Sequence, residues 1–293
     1  MERSPVVVSI KDGDLTAEVS DIGAELRRLT ANGGQDYLWN GDPAYWSGRA
    51  PLLFPMVGRA LGDRIRVDGR YYPMAQHGFA RASRFQIAEV GKSHCIMTLA
   101  ASKATLAQYP FLFRLDVEFR LVERKLSIAA KLFNEGSSDL PASFGFHPAF
   151  RWPLPGSEGR EGHALIFDQD EPASLRRLDG GMLTSEAVPS PLRGRRLELS
   201  DGLFDHGALV FDQLNSRRVT YVGPQGQKID FAFPDMPHLG VWTKPGAGFV
   251  CVEPWQGFAS PVGFDSEFQD KPGVVQVAPG SSRLFELVIE VGT

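Results

Sequence analysis

The chain is written largely in period two. Arg114-Leu115-Asp116-Val117-Glu118-Phe119-Arg120-Leu121 and Lys125-Leu126-Ser127-Ile128-Ala129-Ala130-Lys131-Leu132-Phe133 set apolar side chains at alternate positions. Successive side chains of a strand point to opposite faces, so the two stretches predict paired strands with one buried and one wet face. Arg283-Leu284-Phe285-Glu286-Leu287-Val288-Ile289-Glu290-Val291 repeats the form near the end. Shorter runs are separated by turn chemistry. Val6-Val7-Val8-Ser9-Ile10 and Leu15-Thr16-Ala17-Glu18-Val19 flank Lys11-Asp12-Gly13-Asp14, and Arg64-Ile65-Arg66-Val67 and Arg70-Tyr71-Tyr72 flank Asp68-Gly69. Asp-Gly accepts the positive φ angles of a tight hairpin turn, so both segments predict hairpins. Residues 84–90 and 219–222, each followed by a glycine, read as further strands. Helical periodicity is nearly absent, and short helical turns are expected only around residues 43–48 and 105–109.

Composition narrows the fold. The 293 residues include 31 glycines and 21 prolines, spread along the chain rather than pooled in a linker, with no fixed-period repeat. Many short strands with no compositional break predict one all-β domain over residues 1–293, a sandwich or a barrel. Residues 153–190 are the least regular and read as loops between short strands. Acidic and basic residues, 35 and 31, are interspersed and leave a net charge of −4. That lacks the basic stripe of a nucleic-acid binder. No run approaches the roughly 18 apolar residues of a membrane span, and Met1-Glu2-Arg3-Ser4-Pro5 lacks the apolar run of a signal peptide. A soluble, cytoplasmic protein with neither nucleic acid nor membrane as partner is therefore expected. Nothing demands an oligomer, which predicts a monomer or a weak homodimer. Cys95 and Cys251 are too few for a disulfide framework or a zinc–thiolate site and read as buried reduced thiols.

Four places hold polar groups among prolines, glycines and aromatics, the setting in which loops present chemistry at a rigid surface. In Phe54-Pro55-Met56-Val57-Gly58-Arg59, an apolar run ends in an arginine whose planar fork suits sugar hydroxyls or a carboxylate, with a plain surface arginine as the alternative. In Gln76-His77-Gly78-Phe79-Ala80-Arg81, Phe79 could face the apolar side of a sugar ring. His147 sits in Phe144-Gly145-Phe146-His147-Pro148-Ala149-Phe150. Each of these histidines has a structural reading beside the catalytic one, and His94, His163, His206 and His238 read as structural. Glu253 ends an apolar run before Pro254 and Trp255. Burying such a carboxylate is costly without a role or a partner, and burial would raise its pKa toward that of a useful general base; the alternative is a rim salt bridge.

Other chemistries find little support. The chain has no His-Glu-x-x-His, no phosphate-binding glycine loop, no Gly-x-Ser-x-Gly and no strand-led Gly-x-Gly-x-x-Gly. His77, His147 and Glu253 could serve as three zinc ligands, but without short-range metal spacing. A two-carboxylate glycosidase would need a partner for Glu253.

The order of Gly58-Arg59 with Asp63-Arg64-Ile65, Gln76-His77-Gly78-Phe79, Gly145-Phe146-His147-Pro148 and Glu253-Pro254-Trp255 resembles the aldose 1-epimerase (galactose mutarotase) family, in its bacterial branch of uncertain substrate. The similarity runs from about Ile22-Gly23-Ala24 to the closing Leu284-Phe285-Glu286-Leu287 strand. It implies a large antiparallel β-sandwich with a sugar cleft on one sheet's face and no metal or organic cofactor. It also implies Glu253 as general base and His147 as general acid, with His77 and Arg59 holding the sugar and assisting the proton transfers. The family often carries an aspartate where Gly207 aligns here, so Asp205 or His206 is expected to reach the sugar instead, or the contact to be missing. Trp46, Trp242 and Trp255 are candidate stacking platforms, core packing being the ordinary role of the first two. Arg59 and Arg81 could serve a phosphate if the substrate were a hexose phosphate. The expected activity is anomer interconversion of a hexose or related sugar. A sugar-phosphate 1-epimerase and a carbohydrate-binding protein without turnover are the alternatives.

Overall fold

The computed structural model describes residues 4–31 and 33–292; the Met1-Glu2-Arg3 opening lies outside them. Two large antiparallel sheets dominate. The nine-stranded sheet runs Arg196–Glu198, Ala164–Phe167, Arg218–Val222, Lys228–Ala232, Ser282–Val291, Lys125–Asn134, Phe113–Val122, His94–Ala100 and Gln86–Val90. The expected pair forms its centre, Phe113–Val122 against Lys125–Asn134 with Leu115 opposite Leu132 and Phe119 opposite Ile128. Their apolar positions are buried and their charged ones line the wet face, as period-two alternation requires.

The eight-stranded sheet runs Met182–Val188, Leu175–Asp179, Leu209–Phe211, His238–Trp242, Phe249–Gln256, Phe144–Phe146 and Leu52–Leu53, with Ala149–Arg151 also paired to Phe249–Gln256. It packs face to face on the nine-stranded sheet through aromatic pairs. Phe144 stacks on Phe285 at 4.8 Å between ring centroids, Phe150 meets Phe231 at 4.8 Å and Phe211 meets Phe167 at 5.2 Å. Large rings on facing strands fill the roughly 10 Å gap between packed sheets. The β-sandwich is thus the observed architecture.

A four-stranded sheet, Val7–Asp12, Leu15–Ser20, Leu26–Ala31 and Gln35–Asp36, adds its apolar face to the same core. Both predicted hairpins form. Val67 pairs with Arg70 across Asp68 and Gly69, at φ 49° and 75°, and Asp12 pairs with Leu15 across Gly13 and Asp14. Of the two expected helical turns, one forms at Lys103–Leu106, capped by the Ser102 hydroxyl, which accepts from the Thr105 N–H. Residues 43–48 form non-helical turns instead. Pro43 opens the segment, and the Asp42 carboxylate caps it by accepting the Ala44 N–H. Short 3₁₀ turns at Leu61–Asp63, Ala80–Ala82, Asp201–Phe204 and Phe268–Asp270 punctuate the loops. Among the described residues, no helix is long and apolar enough to cross a membrane.

Candidate active site

Every residue of the Phe249–Gln256 strand is buried, yet its two faces differ. Val250 and Val252 point into the core shared by the sheets. On the opposite face, Phe249 and Cys251 join a smaller apolar cluster with Trp39, Ala149 and Ala247, and Trp255 joins another with Leu53, Val57 and Val210. Glu253 lies between these clusters at 2% exposure. A carboxyl group in that position needs a partner. It has one: the His147 Nε2 atom lies 3.1 Å from Glu253 Oε2.

Adjacent strands determine who can stand there. Gly240 pairs opposite Glu253 and Gly145 opposite Trp255. A Cβ on Gly240 would lie 2.3 Å from Trp255 Cη2, and one on Gly145 would lie 2.6 Å from Cδ1. The indole therefore lies flat only because both neighbours lack a side chain. His147 follows directly on the Phe144–Phe146 strand, and its backbone N–H donates to Pro51. Trp46 stacks on its ring at 4.9 Å, and Trp242 presents an edge at 6.0 Å. The loop that brings Trp46 here is fastened at both ends. Trp39 Nε1 donates to the Trp46 carbonyl, and the Glu25 carboxylate accepts the N–H groups of Arg49 and Ala50.

These residues line a cavity of about 450 Å³ whose wall includes His77, Arg81, His147, Glu253 and Trp255, a size typical of small-molecule sites. His77 holds a left-handed φ of 67°. Its backbone N–H donates to Gly58 O, and the Gly58 N–H donates back to His77 Nδ1 at 3.1 Å. Accepting at Nδ1 leaves the proton on Nε2, so His77 is fixed as a neutral donor. Burial, with a contribution from Arg81, pushes its pKa down to about 3. Burial likewise drives the Glu253 carboxyl well above the usual carboxylate range, the Trp255 indole opposing it. His147 is held well below the usual imidazole range by burial and then by His77. Both shifts favour uncharged forms, so the pair shares one proton along the 3.1 Å contact. Trp255 Nε1, which faces the Glu253 carboxyl without closing a well-formed hydrogen bond to it, and His147 Nδ1, which is buried without a partner, are two polar atoms available to a ligand.

The expected residues do not all converge. Glu253, His147, His77 and Trp255 share the cavity wall. Arg59 stands outside it, its guanidinium doubly bonded to Asp63 at 2.7 Å while its stem packs on Gly181 at the rim. Phe79 does not face the cavity. Its N–H donates to Phe54 O, and the 3₁₀ turn beginning at Ala80 sends the ring into the core against Phe54 and Phe113. Asp205 is exposed just after the Asp201–Phe204 turn and is absent from the wall, as is His206, whereas Gly207 and Ala208 belong to it. The wall therefore has no carboxylate at Gly207, and the contact expected of Asp205 or His206 is missing. Trp46 and Trp242, for which core packing was the ordinary reading, do line the cavity. The aromatic wall is legible only once the register sets Trp242 opposite Cys251. His163 and His238 are structural: each accepts a backbone N–H, from Leu154 and Gly257. A larger hollow of about 740 Å³ lies on the wet face of the nine-stranded sheet, where polar groups satisfy one another, as in the Lys125–Glu290 ion pair and the hydrogen bond that the Thr220 hydroxyl donates to Asp230.

The sequence model of the family described as aldose 1-epimerase matches residues 6–290. The plasmid-encoded protein LacX of Lactococcus lactis subsp. lactis is 30% identical over 297 residues, covering 97% of this chain and 99% of that protein. A galactose mutarotase-like protein from Lactobacillus casei ATCC 334 superposes with a TM-score of 0.92 at 28% identity, over 98% of this chain and 100% of the other. A galactose mutarotase related enzyme from Lactobacillus acidophilus gives 0.90 at 25% identity, over 98% of each chain.

Proposed function

The chain belongs to the aldose 1-epimerase family, a group of isomerases acting on carbohydrates, and from that premise we propose that it interconverts the α and β anomers of a hexose by opening and reclosing the ring. The observation that carries the reading is the His147–Glu253 contact of 3.1 Å on the wall of a sugar-sized cavity. One proton resides in that pair and can sit on either partner. With the shared proton on His147 and the C1 hydroxyl and ring oxygen facing the pair side by side from the cavity, Glu253 takes the proton from the C1 hydroxyl while His147 gives one to the ring oxygen. The bond between C1 and the ring oxygen breaks and the free aldehyde forms. Rotation about C1–C2 exposes the other carbonyl face, and the transfers run backward. Ring opening leaves both groups uncharged, the state their burial favours. The His77 Nε2–H and the Trp255 N–H supply donors for sugar oxygens, and Trp46 screens the imidazole from water.

The test is polarimetric relaxation of freshly dissolved α-D-glucose and α-D-galactose. We expect the protein to accelerate it and Glu253→Gln to lose roughly 10²–10⁴-fold, the usual contribution of one acid–base group, while sugar binding stays measurable. Equal loss of binding and turnover would make Glu253 a structural residue. Sugar binding by the unaltered protein without acceleration would favour a binding protein. One observation favours a second substrate class: Arg81 reaches the cavity wall, whereas the Arg59 guanidinium is occupied by Asp63. A cation there suits the phosphate of a hexose phosphate. Glucose 6-phosphate relaxing faster than glucose at equal concentration would select that class.

A further inference from the structure

Cys251 has no part in the chemistry above, yet it stands two residues before Glu253 on the same face of the same strand. Among the described residues, His147, Cys251 and Glu253 each bring one ligand atom to within 4.8 Å of the others, and all three are buried. We infer that these three side chains form an inhibitory site for a borderline-soft divalent cation of the zinc type, which closes the cavity by capturing the acid–base pair.

The donor set argues for this class of ion. A ring nitrogen, a thiolate and a carboxylate are the ligand types of zinc, with bonds of about 2.0–2.3 Å, so ligands around a tetrahedral ion stand about 3.3–3.8 Å apart. The His147–Glu253 contact is already at 3.1 Å, leaving only the thiol to close in. Charge fits as well. A divalent cation with one thiolate and one carboxylate is neutral, and a neutral complex suits a wall built from Phe249, Trp46 and Trp242. Magnesium and calcium prefer oxygen ligands and have little use for sulfur. His147 and Glu253 line the cavity, so the ion enters from there with the fourth position facing the space where a sugar would stand. Binding displaces the thiol proton and the proton held by the His147–Glu253 pair and leaves the imidazole neutral, so two protons leave per ion. No redox change is involved.

The test separates the site from the reaction. Titrating the protein with Co²⁺ should give a saturable thiolate-to-cobalt charge-transfer absorption in the near ultraviolet, displaced by Zn²⁺ and lost in Cys251→Ser. It should persist in Cys95→Ser, whose thiol lies in the nine-stranded sheet. In the polarimetric assay, Zn²⁺ should halt relaxation and a chelator restore it, and Cys251→Ser should need at least roughly tenfold more Zn²⁺, the scale of losing a metal-site contact. Cys251→Ala, checked for a native melting transition, covers the case in which the serine variant fails to fold. Absence of the absorption, or its survival without Cys251, overturns the proposal. The spectroscopic arm needs no turnover, so failure of the sugar reaction and failure of the metal site are distinguishable.

Discussion

The position of Trp255 depends on atoms that are missing from its neighbours. Gly240 has no positive φ, so an alanine suits its backbone, and the nearest obstacle is the Trp255 ring, with Cη2 and Cζ2 both 2.3 Å from the added Cβ. We expect Gly240→Ala to displace the indole, lower stability by about 1–3 kcal/mol through overpacking, and weaken sugar binding because Gly240 also faces Glu253. Urea unfolding read alongside the concentration dependence of mutarotation checks this; unchanged values in both would show that the indole is not clamped. Legibility at this scale followed the same logic. Glu253 and His147 stood out because a polar group inside an apolar, proline-bounded run has few bland explanations. Phe79 turns into the core instead of facing the cavity because the direction of a side chain after a loop is set by tertiary hydrogen bonds, here Phe79 N–H to Phe54 O, which leave no trace in local pattern, and of the alternatives at Asp205 and His206 the structure shows the one in which neither reaches the wall.

For whole elements the alternation was sufficient. The hairpin at residues 113–134 and the closing strand appear where period two placed them, because a one-residue slip would turn every apolar side chain toward water. The Arg64–Val67 and Arg70–Pro73 hairpin isolates the turn chemistry. Gly69 has a φ of 75° and nothing within 4 Å of a built Cβ, so its constraint is conformational alone. Gly69→Ala should cost about 1–2 kcal/mol, the penalty of a left-handed non-glycine residue, with mutarotation unchanged because the turn is remote from the cavity wall. A lowered melting temperature with unaltered kinetics is the expected pair of results, and altered kinetics would connect this hairpin to the site. Pairings distant in sequence were not legible. That Gly240 meets Glu253 and Gly145 meets Trp255 follows from strand order, which alternation within a strand does not encode.

Across the molecule, the stability of the sandwich should carry the signature of one buried cation outside the cavity wall. Lys271 is 2% exposed, donates from Nζ to the carbonyls of Phe258 and Pro272, and has no carboxylate partner among the described ion pairs. It ties the chain after Phe268–Asp270 to the segment whose Ala259 lines the cavity. Burial lowers its pKa from 10.5 to about 7. Between those values the unfolded chain holds a proton that the folded chain has released, so stability rises with pH across that window. Below pH 7 both states are protonated and folding bears the full cost of an ammonium in an apolar setting. At about 1.36 kcal/mol per pKa unit, Lys271→Met should gain on the unaltered protein by roughly 1 kcal/mol per pH unit as pH falls from 9 to 7. Subtracting the two curves removes the shared titration of Cys95 and Cys251, whose burial raises their pKa values and destabilises the fold at the alkaline end. Urea midpoints of both proteins over that range decide the matter. Parallel curves would mean that Lys271 is solvated in solution and that the carbonyls of Phe258 and Pro272 hold it less firmly than its burial implies.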